Sequence, residues 1–211
     1  QKSSWDEIKK DLLSSKPMDR LLCGDVGFGK TEIAIRSVFV AGINGFGSLV
    51  LAPTTVLAKQ LYGSFLERLS GCGLSVGYVS RFVKKSDHKK VFDSFLRGKV
   101  DVLVGTHSII NNVACLKKAS LVVVDDEHRF GVKQKDLVKE INSRVNILYM
   151  SATPIPRTLK LALSEFKSLS VLSSPPSFKR PTKTCVDYFS EKTVKRGLSF
   201  ELARGGQALF V

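Results

Sequence analysis

Cysteine is scarce and scattered. Cys23, Cys72, Cys115 and Cys185 are the only four in 211 residues. They form no C-x-x-C pair and have no histidine at metal-ligand spacing. This argues against a zinc site and a disulfide framework and fits a reducing, cytoplasmic setting. No apolar run approaches the roughly 18 residues of a membrane helix. The N-terminus carries no signal-peptide pattern, and the chain holds no internal repeat or low-complexity tract. Acidic residues are in deficit, 19 Asp and Glu against 33 Lys and Arg, for a net charge of +14. A surplus that large favours a polyanionic partner, nucleic acid before an anionic membrane, over a merely solvated basic surface.

The rest of the composition is that of a globular protein. Hydrophobic residues make up 43% and charged residues 25%, so disorder is not expected over most of the length. The length suits one good-sized domain, or one domain and part of a second. The chain opens on Gln1 rather than methionine, and the expectation is a piece of a larger protein.

The hydrophobic pattern alternates. Short apolar runs rich in Val, Leu and Ile fall at Arg20–Cys23, Ser48–Ala52, Ser75–Val79, Val100–Val104, Leu121–Val124 and Val145–Met150, as in strands covered on both faces. Helical stretches lie at Trp5–Leu13, with Ser4 as N-cap, and near Thr31–Ala41, Val56–Leu69, His88–Leu96 and Gln134–Ile141. This alternation predicts an α/β fold, a mostly parallel sheet with helices on both faces. Pro, Ser and basic residues at Ser173–Pro176 and Lys179–Pro181 mark a linker. Beyond it, Lys183–Ser190 reads as a strand, Glu191–Ala203 as a helix and Gln207–Val211 as the start of another strand.

Gly24-Asp25-Val26-Gly27-Phe28-Gly29-Lys30-Thr31 fits G-x-x-x-x-G-K-[ST] between a predicted strand and a predicted helix. Glycines let the backbone curl so that several N–H groups face one point, and the helix start adds its partial positive charge. Lys30 supplies a mobile cation for the β- and γ-phosphates of ATP, and Thr31 a hydroxyl ligand for Mg²⁺. A second carboxylate site is needed. Leu121-Val122-Val123-Val124-Asp125-Asp126-Glu127-His128 delivers an acidic cluster to the carboxyl end of a strand, where ligands bind in open α/β sheets. Asp125 is the candidate Mg²⁺ residue, acting through water; an acidic strand end alone is more often a turn, and its pairing with the P-loop upstream gives it this reading.

These motifs resemble those of the superfamily 2 helicases, and within them the family of bacterial transcription-repair coupling factors, over essentially the whole chain. The segment Pro17–Cys23 leading into GDVGFGKTE resembles motif I, and Ala52-Pro53-Thr54-Thr55 resembles motif Ia. Val79-Ser80-Arg81-Phe82 and Gly105-Thr106-His107 resemble the next two blocks. Asp125–His128 with Arg129-Phe130-Gly131 resembles motif II, and Ser151–Thr158 (SATPIPRT) motif III with its extension. RecG, a branch-migration helicase, shares the HRFG and SATPIPRT-like segments, whereas Phe28, Thr54-Thr55 and VSRF favour the coupling factors.

The resemblance implies a RecA-like P-loop NTPase lobe over residues 1–173, with 174–211 a linker and the truncated start of a second lobe. It implies an ATP-dependent double-stranded DNA translocase acting on stalled RNA polymerase in excision repair, with RNA polymerase and UvrA bound by domains outside this chain. Gln1 falls where the family places an adenine-reading glutamine. Pro53, Thr54, Thr55, Arg81, Gly105, Thr106 and His107 are implied to hold DNA by its phosphates. Glu127, His128, Ser151, Ala152 and Thr153 are implied to link nucleotide state to DNA movement; position alone allows a simple strand-end turn. Lys84, Lys85, Lys89, Lys90, Arg97 and Lys99 form a basic stretch that either flanks the DNA or is a solvated helix face.

One position departs from the family. The catalytic base of motif II is usually Glu, and here it is Asp126, whose carboxylate sits roughly 1 Å further back. A misplacement of that size can cost on the order of a hundredfold in rate. Backbone compensation, help from Glu127, and slow hydrolysis remain open. Two rival readings stand beside the translocase: a RecG-like branch-migration lobe, and a nucleotide-dependent DNA-binding module with little turnover. A metabolic P-loop kinase is disfavoured, because it has no use for Thr54-Thr55, GTH and SATPIPRT after successive strands.

Overall fold

The computed structural model describes residues 1–81, 85–126, 131–152, 168–176 and 184–210, and for Lys85, Ser86, His107, Val132, Lys133 and Lys135 the backbone alone. Two compact units are present, Gln1–Ser177 and Phe178–Val211.

The first unit is built on a seven-stranded sheet. Its strands are β1 (Asp19–Gly24), β2 (Gly47–Ala52), β3 (Val76–Val79), β4 (Val102–Thr106), β5 (Ala119–Val124), β6 (Asn146–Ser151) and β7 (Ser168–Leu172). Their spatial order is β3-β4-β2-β5-β6-β1-β7, and every pairing is parallel. The helices of this unit are α1 (Lys2–Leu12), α2 (Lys30–Ile43), α3 (Thr55–Leu69), α4 (Lys85–Leu96), α5 (Val113–Lys118) and α6 (Val132–Ile141).

Strand periodicity divides the core in two. Leu22, Val50, Val104, Val123, Leu148 and Met150 face a layer containing Ile8 of α1, Ile33 and Val38 of α2, and Phe65 of α3. The alternate residues Leu21, Leu49, Leu51, Leu103, Val122, Ile147 and Tyr149 face Phe95 of α4, Leu116 of α5 and Val138 of α6. The central strands are therefore buried on both faces, which is why they read as continuous apolar runs. The expected α/β sheet with helices on both faces is observed, and the six predicted strands differ from the observed ones only at their ends.

Three expectations need correction. Helix α1 starts at Lys2 with Gln1 as its N-cap, so Ser4 is not the cap. The Trp5 amide already donates to the Gln1 carbonyl at 2.9 Å, and Ser4 is buried one turn before Ile8. The edge strand β7 was not anticipated, because Ser168 and Ser170 interrupt its apolar run. In the second unit, residues 184–190 and 207–210 form no strand, although both segments read as strands. Lone strands have no ladder to satisfy their backbone groups, and the described part of this unit offers only α7 (Glu191–Ala203). That helix lies where it was predicted and buries none of its side chains. The linker residues Lys179–Pro181 lie outside the described residues.

A buried ion pair fastens α1 to the sheet. Arg20 projects from β1, and its side chain is only 11% exposed. Its Nε donates to Asp11 Oδ2 at 2.6 Å, and one Nη donates to Glu7 Oε2 at 3.2 Å and to Ser170 Oγ at 2.9 Å. The Ser170 hydroxyl in turn donates to Glu7. One guanidinium thus joins α1, β1 and β7. Arg20→Met leaves two carboxylates facing each other without a cation. Because both are partly solvated, the expected loss is about 1–3 kcal/mol rather than the larger penalty of a fully buried pair. Urea denaturation of the two proteins measures it.

Candidate nucleotide and nucleic-acid site

The P-loop leaves the carboxyl end of β1 and enters α2. Gly27 (φ 76°) and Gly29 (φ 92°) adopt the left-handed conformation, which glycine reaches without steric cost. Gly29 is also the N-cap of α2. A Cβ there would lie 2.2 Å from the movable Gln1 Nε2, so it is the positive φ rather than lack of space that calls for glycine. The Lys30 ammonium reaches back over the loop and donates to the Gly24 carbonyl at 2.7 Å and the Asp25 carbonyl at 3.1 Å. The Val26 amide donates to Asp25 Oδ1 at 2.7 Å, and the Phe28 amide to the Asp25 carbonyl at 3.2 Å. Gln1 Nε2 donates to the Phe28 carbonyl at 2.9 Å. Gln1 therefore starts α1 and braces the phosphate loop as well. Thr31 follows Lys30 in the first turn of α2.

Two strands away, β5 ends at Val124 and the Asp125 amide donates to the Leu51 carbonyl at 2.8 Å, prolonging the ladder by one residue. Burial raises the pKa of Asp125, and the neighbouring Asp126 carboxylate raises it further; Lys30 and the Asp126 amide oppose both effects. Burial lowers the pKa of Lys30, against the attraction of Asp125, Asp25 and Asp126. The ammonium and the acidic pair are thus electrostatic neighbours. Asp126 has φ 62°, the only non-glycine residue in the left-handed region among those described. Aspartate is one of the few side chains that tolerates this region. Glu127 and His128 lie outside the described residues.

Between these strands runs β6, whose Ser151 pairs with Cys23 of β1. Ser151 is buried, and Ala152 follows it. Thr153 and the rest of SATPIPRT lie outside the described residues. The order β5-β6-β1 thus holds Asp125, Ser151 and the P-loop side by side at one sheet edge.

The remaining candidates occupy the same edge on β2, β4 and β3. Pro53 follows β2, and Thr54 caps α3, its Oγ1 accepting from the Leu57 amide at 3.2 Å. Thr55 is the first residue of α3 and is buried. Gly105 and Thr106 end β4. A Cβ on Gly105 would stand 2.2 Å from the Val79 carbonyl oxygen, so glycine is required where β4 crosses close to β3. The Thr106 and Ser108 hydroxyls are 2.8 Å apart. His107 begins a 3-10 turn, His107–Asn111. Arg81 is exposed just beyond β3, and His88 Nε2 contacts the preceding Ser80 carbonyl at 2.7 Å.

The basic stretch divides. Lys84 is outside the described residues and the Lys85 backbone opens α4. Lys89 and Lys90 are exposed along α4, with Lys90 3.5 Å from Asp87. Arg97 and Lys99 come just before the amino end of β4, the opposite edge from Thr106. Sequence reasoning missed the Arg20 network and the left-handed turn at Asp126. The adjacent Asp125-Asp126 pair after an apolar strand was the only available signal for that turn.

The residues present fit a nucleoside triphosphate: left-handed glycines, a helix N-terminus, a lysine and a facing carboxylate. Among the described residues no group of three or more His, Cys, Asp or Glu could hold a metal by itself. Mg²⁺ commonly takes one or two protein oxygens and completes its shell with phosphates and water.

The raised pKa of Asp125 has a consequence for stability. Above its folded-state pKa the ionised group is less comfortable in the folded protein than in the unfolded chain. Asp125→Asn is therefore expected to raise Tm at pH 7. The gain should shrink as pH falls through the folded-state pKa toward the ordinary carboxylate value of about 3.9, when both forms of the chain are neutral there. Thermal scans across pH check this.

Residues 1–162 match the family model described as DEAD/DEAH box helicase. The chain is 44% identical over 211 residues to the transcription-repair-coupling factor of Helicobacter pylori strain J99, covering all of this chain and 21% of that protein. It is 41% identical to the transcription-repair-coupling factor of Bacillus subtilis, covering all of this chain and 18% of the relative. A chloroplastic ATP-dependent DNA helicase of Arabidopsis thaliana is 44% identical over 213 residues, with 26% of it covered. The chain thus spans about a fifth to a quarter of the length of these relatives. Among solved structures, RecG bound to a three-way DNA junction superposes with a TM-score of 0.81 at 32% identity, over 98% of this chain and 28% of that one. No helix among the described residues is long and apolar enough to cross a membrane. With the motifs, the all-parallel sheet and these full-chain matches together, the chain belongs to the DEAD/DEAH box helicase family and is a RecA-like helicase lobe similar to that of the transcription-repair-coupling factors.

Proposed function

We propose that this chain is the first motor lobe of an ATP-dependent double-stranded DNA translocase of the transcription-repair coupling type. Residues 1–173 form the ATP-binding lobe, and 174–211 form the linker and the beginning of a second lobe. The observation that carries this reading is the sorting along one sheet edge. P-loop and acidic candidates cluster on β1, β6 and β5, and phosphate-binding candidates cluster next to them on β2, β4 and β3.

In this reading Gly24 to Thr31 wraps the phosphates of ATP, Lys30 meets the β- and γ-phosphates, and Gln1 reads the adenine. Thr31 and Asp125 hold Mg²⁺, which when bound neutralises charge on the phosphate oxygens. Asp126 orients the attacking water. Pro53, Thr54, Thr55, Arg81, Gly105, Thr106 and His107 hold the DNA backbone, and Glu127, His128, Ser151, Ala152 and Thr153 transmit nucleotide state to that grip. RNA polymerase and UvrA are partners of the whole protein through other domains. A RecG-like branch-migration role is the second reading, favoured by the TM-score of 0.81; the higher identity to coupling factors favours the first.

Phosphate contacts carry charge but no sequence information. Binding to duplex DNA should weaken with salt, log K falling by about 0.9 per unit log salt for each phosphate neutralised, with little dependence on sequence. Fluorescence anisotropy at several salt concentrations tests this, and a flat salt response overturns the electrostatic grip. The lobe alone should turn over little, since an arginine supplied from outside the P-loop lobe is typically worth about 10³ to 10⁵ in rate. In the longer parent protein, Lys30→Ala should abolish ATP turnover. Asp126→Glu, compared with wild type under steady-state conditions, separates motor from switch: a large rise in DNA-stimulated turnover identifies the native site as a slow switch. An unchanged or lower rate identifies Asp126 as a working base in its own backbone setting.

A further inference from the structure

We propose that a cavity at the amino-terminal edge of the sheet, the edge away from the P-loop, is a docking site for an acidic segment of a partner protein that inserts a bulky apolar side chain. The cavity measures about 590 Å³ and opens among the last turns of α1 and α2, the end of α5 and the starts of β5 and β6. That volume lies within the range of about 300–1,000 Å³ typical of ligand pockets. Its apolar wall includes Leu13, Val40 and Phe46, with Leu13 74% and Phe46 56% exposed. Lys117, Lys118 and Arg144 also line it, and no carboxylate does. Among the described residues none of these three cations is ion-paired.

The polar floor is already satisfied. Asn142 Nδ2 donates to the Leu116 carbonyl at 3.1 Å and the Ala119 carbonyl at 2.9 Å. Asn146 Nδ2 donates to the Ser120 carbonyl at 3.0 Å, and its Oδ1 accepts from the Met18 amide at 2.9 Å. What the cavity still offers is apolar surface and positive charge. An aliphatic or aromatic side chain flanked by Asp or Glu matches both.

Two simpler accounts explain only part of this. Lysines in the last turn of a helix complement its dipole, which covers Lys117 and Lys118 on α5. It does not cover Arg144, which lies beyond α6, or the exposed Leu13 and Phe46. Nucleic acid would answer the charge, but a phosphate backbone has nothing to fill an apolar hollow.

The test uses the full 211-residue chain and fluorescein-labelled 14-residue peptides. One carries two Leu and one Phe among Asp and Glu, a second replaces Asp and Glu with Lys, and a third replaces Leu and Phe with Ala. The acidic apolar peptide should bind saturably, and the other two at least about tenfold more weakly. Lys117→Glu combined with Lys118→Glu should weaken it about tenfold or more, and so should Phe46→Ser, while Lys192→Glu on α7 changes nothing. Retained circular dichroism and ATP-analogue binding exclude misfolding of the variants. Equal binding of the Lys peptide, unchanged binding by the double variant, or absence of saturable binding overturns the proposal. So does displacement of the peptide by duplex DNA, or sedimentation showing that Lys117→Glu/Lys118→Glu dissolves a dimer of the chain.

Discussion

In a parallel sheet all strands point one way, so the loops leaving their carboxyl ends converge on a single edge. Each strand after the first must return through a crossover, and the crossover helices cover both faces. This constraint governs the protein. It buries every central strand in a double layer of apolar side chains and gathers the loops that carry the candidate nucleotide and nucleic-acid residues at the carboxyl edge. The insertion of β6 between β5 and β1 then decides which loops meet. Asp125 and the P-loop, distant in sequence, become neighbours, and Ser151 lies between them.

The same edge is costly to fold. Lys30 and Asp125 both have pKa values displaced by burial toward their neutral forms, and the two acidic side chains repel each other. Lys30 relieves part of this by attraction and satisfies its own ammonium on the Gly24 and Asp25 carbonyls. Stability lost here is recovered away from the edge. The Arg20 network ties α1 to β1 and β7, and because Gln1 is the N-cap of α1, it also helps place the donor that braces Phe28. The hydrogen-bond support of the phosphate loop thus runs back to a guanidinium four residues upstream of the strand's end.

Much of this was legible in the sequence for specific reasons. Strands buried on both faces announce themselves as unbroken Val, Leu and Ile runs, and the P-loop has an invariant backbone demand that Gly27 and Gly29 meet. What failed to show depended on partners distant in the chain. Ser168–Leu172 is an edge strand in which Ser170 bonds to Arg20 and to Glu7 of α1, so it breaks the apolar pattern while being buried. Residues 184–190 have strand composition, yet composition supplies no ladder partner, and the segment forms no strand among the described residues. Ser4 had the chemistry of a cap, but the helix already begins at Lys2. Thr54 was read for phosphate contact, and its Oγ1 also accepts from the Leu57 amide as the cap of α3, a role that leaves the hydroxyl hydrogen able to donate. The roles of the individual site residues remain part of the proposed function.

The turn at Asp126 shows how a side-chain change and a backbone conformation can be coupled. A left-handed backbone costs an ordinary L-residue roughly 1–2 kcal/mol, and aspartate is among the side chains found there most often because its short carboxylate can bond locally. Glutamate has a more distant carboxylate and less of that local compensation. At φ 62°, aspartate therefore lowers the cost of the turn while withdrawing the charge by one methylene. In the role proposed for Asp126 the two effects act in opposite directions: a better-held turn fixes the carboxylate's direction, and a shorter arm reduces its reach. Judging the position by arm length alone omits the backbone, in which the two residues also differ in this conformation.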